Sequence, residues 1–186
     1  NERDRPSLRL PKAQAIADVL DAFGWSGVRQ TPRTDRETAA NVLQPGVLAN
    51  GKLTAILTRA SDGSLLANWA VEAKSPEELV GRLFLQILNR MPTEQERATA
   101  VKALSVGFQE RIVSLDQVKK PVLPERLPRV TWSNHLSPEA TTIQLEMEKR
   151  ARKGPPVDPR LKDAWREAYE DFVWTLINSR EFVWLP

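Results

Sequence analysis

Residues 75–108 read SPEELVGRLFLQILNRMPTEQERATAVKALSVGF, and the fold class is decided there. Ser75 has a hydroxyl that caps a helix. Pro76 suits a first helical position, where a missing N–H costs nothing, and Glu78 is placed to reach back as the reciprocal acceptor. Thr93 and Glu96 repeat the capping box. Between the two starts, Leu79, Val80, Leu83, Phe84, Ile87 and Leu88 recur at helical spacing and form a broad apolar stripe, ended by Met91-Pro92. After Thr93 the stripe continues as Ala98, Val101, Leu104, Ser105, Phe108 and Ile112. The spacing predicts two antiparallel helices joined by a tight loop.

Toward the N-terminus, Leu65, Leu66, Trp69, Ala70 and Ala73 predict a helix after the turn TRASDGS. A short apolar piece, Leu53 to Leu57, follows the stop signal Asn50-Gly51. A helix capped by Thr34 or Asp35 runs toward Asn50, and Pro45 kinks it or restarts it at Gln44. Ala13, Ile16, Ala17, Leu20 and Phe23 form a helix that Gly24 ends, with Trp25 and Val28 tucked back onto it. Residues 1–10 are charged and without period, an extended arm.

Toward the C-terminus, Pro121, Pro124 and Pro128 break any helix, so residues 116–136 form an extended strap. Its Val122, Leu123, Leu127, Val130 and Trp132 are expected to lie against the core. SPEA at 137–140 starts a helix with a narrow seam of Leu136, Ala140, Ile143, Met147 and Ala151, and with Glu146–Arg150 and Glu148–Arg152 pairs. Asp158 is expected to cap a last long helix carrying Leu161, Trp165, Ala168, Tyr169, Phe172, Val173 and Leu176. The tail NSREFVWLP returns as an apolar hook. Alternation of period two is nearly absent; at most VLP or RVTW pair as strands. The expectation is all-α: one domain over residues 1–186, an irregular bundle of five to seven helices with a proline-rich extended connection.

The chain has 186 residues and no cysteine, which removes disulfides, thiolate ligands, a cysteine nucleophile and covalent haem attachment within it. Its 27 basic and 24 acidic residues are interspersed, for a net charge of +3, so there is no single-sign field for nucleic acid. No apolar run approaches the ~18 residues that a membrane span needs. The chain begins with Asn1 rather than Met, and the expectation is an excised piece of a longer polypeptide or a processed chain.

Several segments, taken in order, resemble one family: ADVLDAFGWSGVRQTPRT, NVLQPGVLANG, SPEELVGRLFLQILNRMPTEQE and WREAYEDFVWTLINSREFVWLP. It is the C-terminal domain of unknown function in large planctomycete proteins that often carry a cytochrome-c-like domain upstream. TWSNHLSPEATTIQLEMEKRARKGPPVDPRL resembles one branch of it. Pro45 departs from the unbroken helical residue expected there. The resemblance implies a place at the C-terminal end of a large exported protein, haem c only in another domain, an extracytoplasmic location, and other domains of the same polypeptide as partners.

Arg29, Arg33 and Arg36, beside a helix start and with Gln44 and Asn50 following, form a candidate anion site. The competing reading pairs Arg33 and Arg36 with Asp35 and Glu37, while Gln44 and Asn50 satisfy backbone groups around Pro45. His135 is the only histidine. With Glu139 it offers two metal ligands, one short of a catalytic zinc set; the alternative is a local hydrogen bond at the Ser-Pro helix start. A serine triad lacks its GxSxG elbow. Glu167, Glu170 and Asp171 surround one helix, as solvated carboxylates do, with Arg166 or Arg180 as partners for Glu170 or Asp171. Of the six tryptophans, Trp165 lies on the apolar stripe. Trp174 lies off it and, with Phe182 and Trp184, is an interface candidate. The first reading is a non-catalytic structural or docking module of a large exported multidomain protein, with no cofactor or metal in this chain. The alternative is an anion- or carbohydrate-binding or -processing domain using the Arg29–Asn50 segment with His135.

Overall fold

The computed structural model describes residues 13–24, 39–118 and 125–183. Among them are nine α-helices: α1 (Ala13–Ala22), α2 (Leu43–Asn50), α3 (Lys52–Leu57), α4 (Leu65–Glu72), α5 (Pro76–Leu88), α6 (Glu94–Ser105), α7 (Pro138–Lys153), α8 (Asp163–Ile177) and α9 (Arg180–Val183). Short 3-10 turns cover Phe108–Glu110 and Leu115–Gln117. The all-α expectation holds. The count exceeds seven because Gly51 separates two short helices and the tail adds a one-turn helix.

The two helix starts form as expected. Ser75 Oγ accepts from the Glu78 N–H at 3.2 Å, and Pro76 opens α5. Glu78 reaches one residue further back than expected, accepting from the Lys74 N–H at 2.9 Å. Thr93 and Glu96 complete a reciprocal capping box, and Asn89, left-handed at φ 54°, ends α5 so that the chain can reverse. The stripe on α6 is narrower than the spacing predicts. Ala100 and Leu104 are buried, while Ala98 and Ser105 face solvent and Ile112 is exposed. The helix stops at Ser105, and Gly107 at φ 73° turns Phe108 inward from a 3-10 turn.

α5, α6 and α8 enclose the core. Leu79, Val80, Leu83, Leu104, Tyr169 and Val173 are fully buried there, each such side chain stabilising by about 1.5–3 kcal/mol when removed from water. Trp165 stacks on Tyr169 at 5.3 Å and meets Phe108 edge-on at 6.0 Å. The polar tips of both α8 aromatics are satisfied: Trp165 Nε1 donates to the Leu104 carbonyl at 3.0 Å and Tyr169 OH to the Leu66 carbonyl at 3.1 Å. Ala168, expected on the stripe, is exposed.

Pro45 produces no kink. α2 begins at Leu43, so Pro45 falls in the first turn, where N–H groups have no intrahelical partner. Asn41 Oδ1 takes up the Leu43 and Gln44 N–H groups instead, at 2.8 and 3.2 Å. The expected caps Thr34 and Asp35, with Trp25 and Val28, lie outside the described residues. α1, α2 and α3 pack on one another.

Asp158 does not cap α8, which starts at Asp163 with Lys162 before it. RVTW does not pair, and VLP lies outside the described residues. The bridges among the described residues are single and antiparallel, Ser61 with Val157 and Ile112 with Leu161. Hydrogen bonds extend both. Asp62 donates its N–H to the Pro156 carbonyl and Asp158 its own to the Ala60 carbonyl, each at 2.9 Å. Val113 donates to the Arg160 carbonyl and Lys162 to the Arg111 carbonyl, each at 2.8 Å. The chain therefore leaves the bundle near Val113 and returns near Arg160, with α7 between. α7 shares no extended interface with another helix among the described residues. The strap differs from expectation at its end: Trp132 is 88 % exposed and Leu136 likewise 88 %. Trp132 stacks on His135, with ring centroids 4.5 Å apart, and not on the core.

Candidate functional site

Of the sequence candidates, Gln44, Asn50, His135, Trp174 and Phe182 lie among the described residues. Arg29, Arg33 and Arg36 lie outside the described residues, as does Trp184. Gln44 is buried on α2, while Asn50 at the other end of that helix is exposed. His135 belongs to the turn before α7, where its Nδ1 lies 2.6 Å from the Trp132 carbonyl oxygen. Among the described residues no three His, Cys, Asp or Glu side chains are grouped to hold a metal ion, and no helix is long and apolar enough to cross a membrane. Trp174 is 40 % exposed, and its indole N–H donates to the Ala49 carbonyl at 3.2 Å, tying α8 to α2. Phe182 packs partly buried against the core.

The buried ionisable groups, in contrast, are all engaged. Arg111 comes from the turn after α6 and is 5 % exposed. It donates to the carbonyls of Ala70 (2.6 Å), Val71 (3.3 Å), Ala73 (2.6 Å) and Phe108 (2.8 Å). Three of these acceptors belong to the C-terminal end of α4, whose last carbonyls lack intrahelical donors and whose dipole favours a cation. The guanidinium lies 3.7 Å from the Phe108 ring centroid. Burial pushes its pKa down.

Asp158 is fully buried. It accepts from the Arg160 N–H at 2.9 Å and pairs with the Arg160 guanidinium at 2.6 Å, which also donates to Asn68 Oδ1 at 2.9 Å. Burial works against the Asp158 charge, but the Arg160 hydrogen bonds outweigh it and hold the carboxyl below its ordinary range. Arg166 meets Glu170 at 2.9 Å and Asp163 at 3.2 Å, and Glu170 also accepts the Ala60 N–H at 2.9 Å. Of the candidate carboxylates Glu167, Glu170 and Asp171, Glu170 is thus a joint between α8 and the turn before α4. Arg90 grips Glu96 and Glu181 in two bidentate pairs at 2.6–2.8 Å, clasping α9 to the α5–α6 turn. Hydrogen bonds from Arg90 and then from the Thr93 N–H bring the Glu96 pKa down to about 2.

A concavity of about 820 Å³ lies between the strap and α7. Leu127, Val130 and Met147 supply its apolar surface, with Arg126, Arg129 and Gln144 beside them. On the same lobe Leu145, like Trp132 and Leu136, is exposed. The sequence places RLPRV in an extended strap with Leu127 and Val130 against the core, and does not mark it as a groove. The signal for one is the three-residue spacing of its arginines and of its aliphatics.

The fold defines the class: an all-helical domain, among its described residues, whose buried charges serve as internal ties. Residues 1–104 match the family model described as "PSD1: Protein of unknown function (DUF1553)", more than half of the chain, and the chain belongs to that family. The match ends within α6, so the strap, α7 and the groove lie beyond it. No curated protein and no solved structure matches the chain.

Proposed function

We propose that this domain is a non-catalytic docking module of a large exported multidomain protein, and that it docks through the strap–α7 lobe. The observation that carries this reading is that Trp132, Leu136, Leu145 and Met147 are all exposed on one excursion of the chain. Exposed large apolar side chains that cluster mark a contact with another protein surface. Arg111, Asp158, Arg160, Arg166 and Glu170 point the same way, since each is committed to holding elements together. The export, the upstream haem-bearing domain and the neighbouring domains as partners follow the resemblance drawn from the sequence.

The test is hydrogen exchange on residues 1–186 alone and within the longer polypeptide. Amides of the strap and α7 are expected to slow in the longer protein. Equal exchange of that lobe in both contexts would remove intramolecular docking through it.

A further inference from the structure

The strap–α7 groove has a charge pattern of its own. In residues 125–130, ERLPRV, Pro128 fixes its own φ, and the residue before it, Leu127, is steered to extended backbone. Extended backbone of the polyproline kind repeats every three residues. Burial follows that period: Arg126 and Arg129 are exposed, while Leu127 and Val130 are half-buried. The strap thus has an arginine edge and an aliphatic edge.

It runs antiparallel to α7. At one end Arg150 Nη1 donates to the Glu125 carbonyl at 2.5 Å. At the other, Asn134 Nδ2 donates to the Arg129 carbonyl at 3.0 Å, in the turn that leads to Pro138.

The charges around the groove are unequally used. Arg150 is paired with Glu146 at 2.9 Å, and Glu148 is engaged as well. The guanidinium groups of Arg126 and Arg129 have no hydrogen bond or ion pair among the described residues, in contrast to the paired guanidinium groups of Arg90, Arg111, Arg160 and Arg166. Glu125, the remaining carboxylate, sits at the Arg150 end. The main-chain groups of Leu127 and Val130 are likewise unpaired among the described residues, an edge to which an extended chain can add hydrogen bonds.

We propose that this groove binds an extended, acidic peptide segment. Its carboxylates meet Arg126 and Arg129, and its apolar side chains lie on Leu127, Val130 and Met147. This rests on the docking reading and names the chemistry of the docked partner.

The probe is a rhodamine-labelled, end-capped peptide of about ten residues alternating Glu and Val, titrated against the 186-residue chain by fluorescence anisotropy. The same peptide with Gln or Lys in place of Glu is the control. The Glu peptide is expected to bind about tenfold tighter than the Gln peptide, with affinity falling as salt rises. The exposed-site variant R126Q/R129Q, with unchanged circular dichroism, is expected to lose about tenfold.

Absence of binding at millimolar peptide overturns the proposal. So does equal affinity for the Gln or Lys peptide, or an R126Q/R129Q variant that binds as well as the parent. A groove occupied by a second copy, seen as a concentration-dependent dimer that the Glu peptide does not dissociate, overturns it too. The two readings fail separately. A lobe protected in the longer polypeptide but indifferent to the Glu peptide leaves docking standing and removes the acidic occupant. Peptide binding without that protection does the reverse.

Discussion

Replacing Arg111 with Met tests whether the buried guanidinium holds the α4 end. Met preserves much of the aliphatic stem, so the change removes charge and donors more than volume. Three of the four hydrogen bonds are 2.6–2.8 Å long and the fourth is 3.3 Å. A hydrogen bond to a charged group contributes about 1.5–3 kcal/mol net, so the three short ones set an upper bound of roughly 5–9 kcal/mol. Against this, the variant no longer keeps a cation out of water, which recovers several kcal/mol. The orphaned carbonyls of Ala70, Ala73 and Phe108 decide the balance, and the expected net loss is about 3–5 kcal/mol. For a domain of this size that lowers Tm by roughly 6–20 °C. R111K keeps the charge but cannot fan its donors to carbonyls on both sides, and is expected to fall between. Urea unfolding followed by tryptophan fluorescence and far-UV circular dichroism gives both numbers. A loss below about 1 kcal/mol for R111M, with an unchanged urea slope, would refute the reasoning.

Three further outcomes are expected. In G51A the new methyl collides with the Val47 carbonyl oxygen at the α2–α3 break; overpacking of this kind costs about 1–3 kcal/mol, and a variant melting with the parent would refute the geometry. The Glu96 carboxyl, folded at about 2 against an ordinary 4.5, contributes stability that is complete above its unfolded pKa and is lost as pH falls through about 2; thermal melts should show wild type and E96Q converging between those limits, and a constant gap would exclude the linkage. W132A should change stability by less than about 0.5 kcal/mol, because the ring is off the core, while removing an emission readily quenched by acrylamide; a large loss of stability would return Trp132 to the interior.

The parts of the fold legible in the sequence were those fixed locally. Ser75-Pro76 and Thr93–Glu96 carry their cap chemistry within four residues, and the α5 stripe repeats at the helical period. Asp158 shows where local chemistry misleads. Its side chain suits a cap, but the pairing of its segment with Ala60–Ser61 buries it beside its neighbour Arg160. Trp132 was assigned to the core because it is apolar, whereas a ring three residues on, His135, gave it a partner outside. Arg111 gives no sign in QERIVS of facing α4, some forty residues earlier in the chain; only the tertiary fold brings those carbonyls to it. Of the candidate site, the arginine and aliphatic spacing of RLPRV was present in the sequence, but the helix that turns that spacing into a groove is placed by a long-range return of the chain.

That return has a topological consequence. Because the Val113–Arg160 main-chain hydrogen bond and the Ser61–Val157 bridge fasten the two ends of the excursion, α7 hangs from the bundle like a handle held at both ends. Lengthening or trimming such a handle changes closure entropy only logarithmically, so this stretch can diverge, grow or be exchanged among relatives while α5, α6 and α8 keep the same interior.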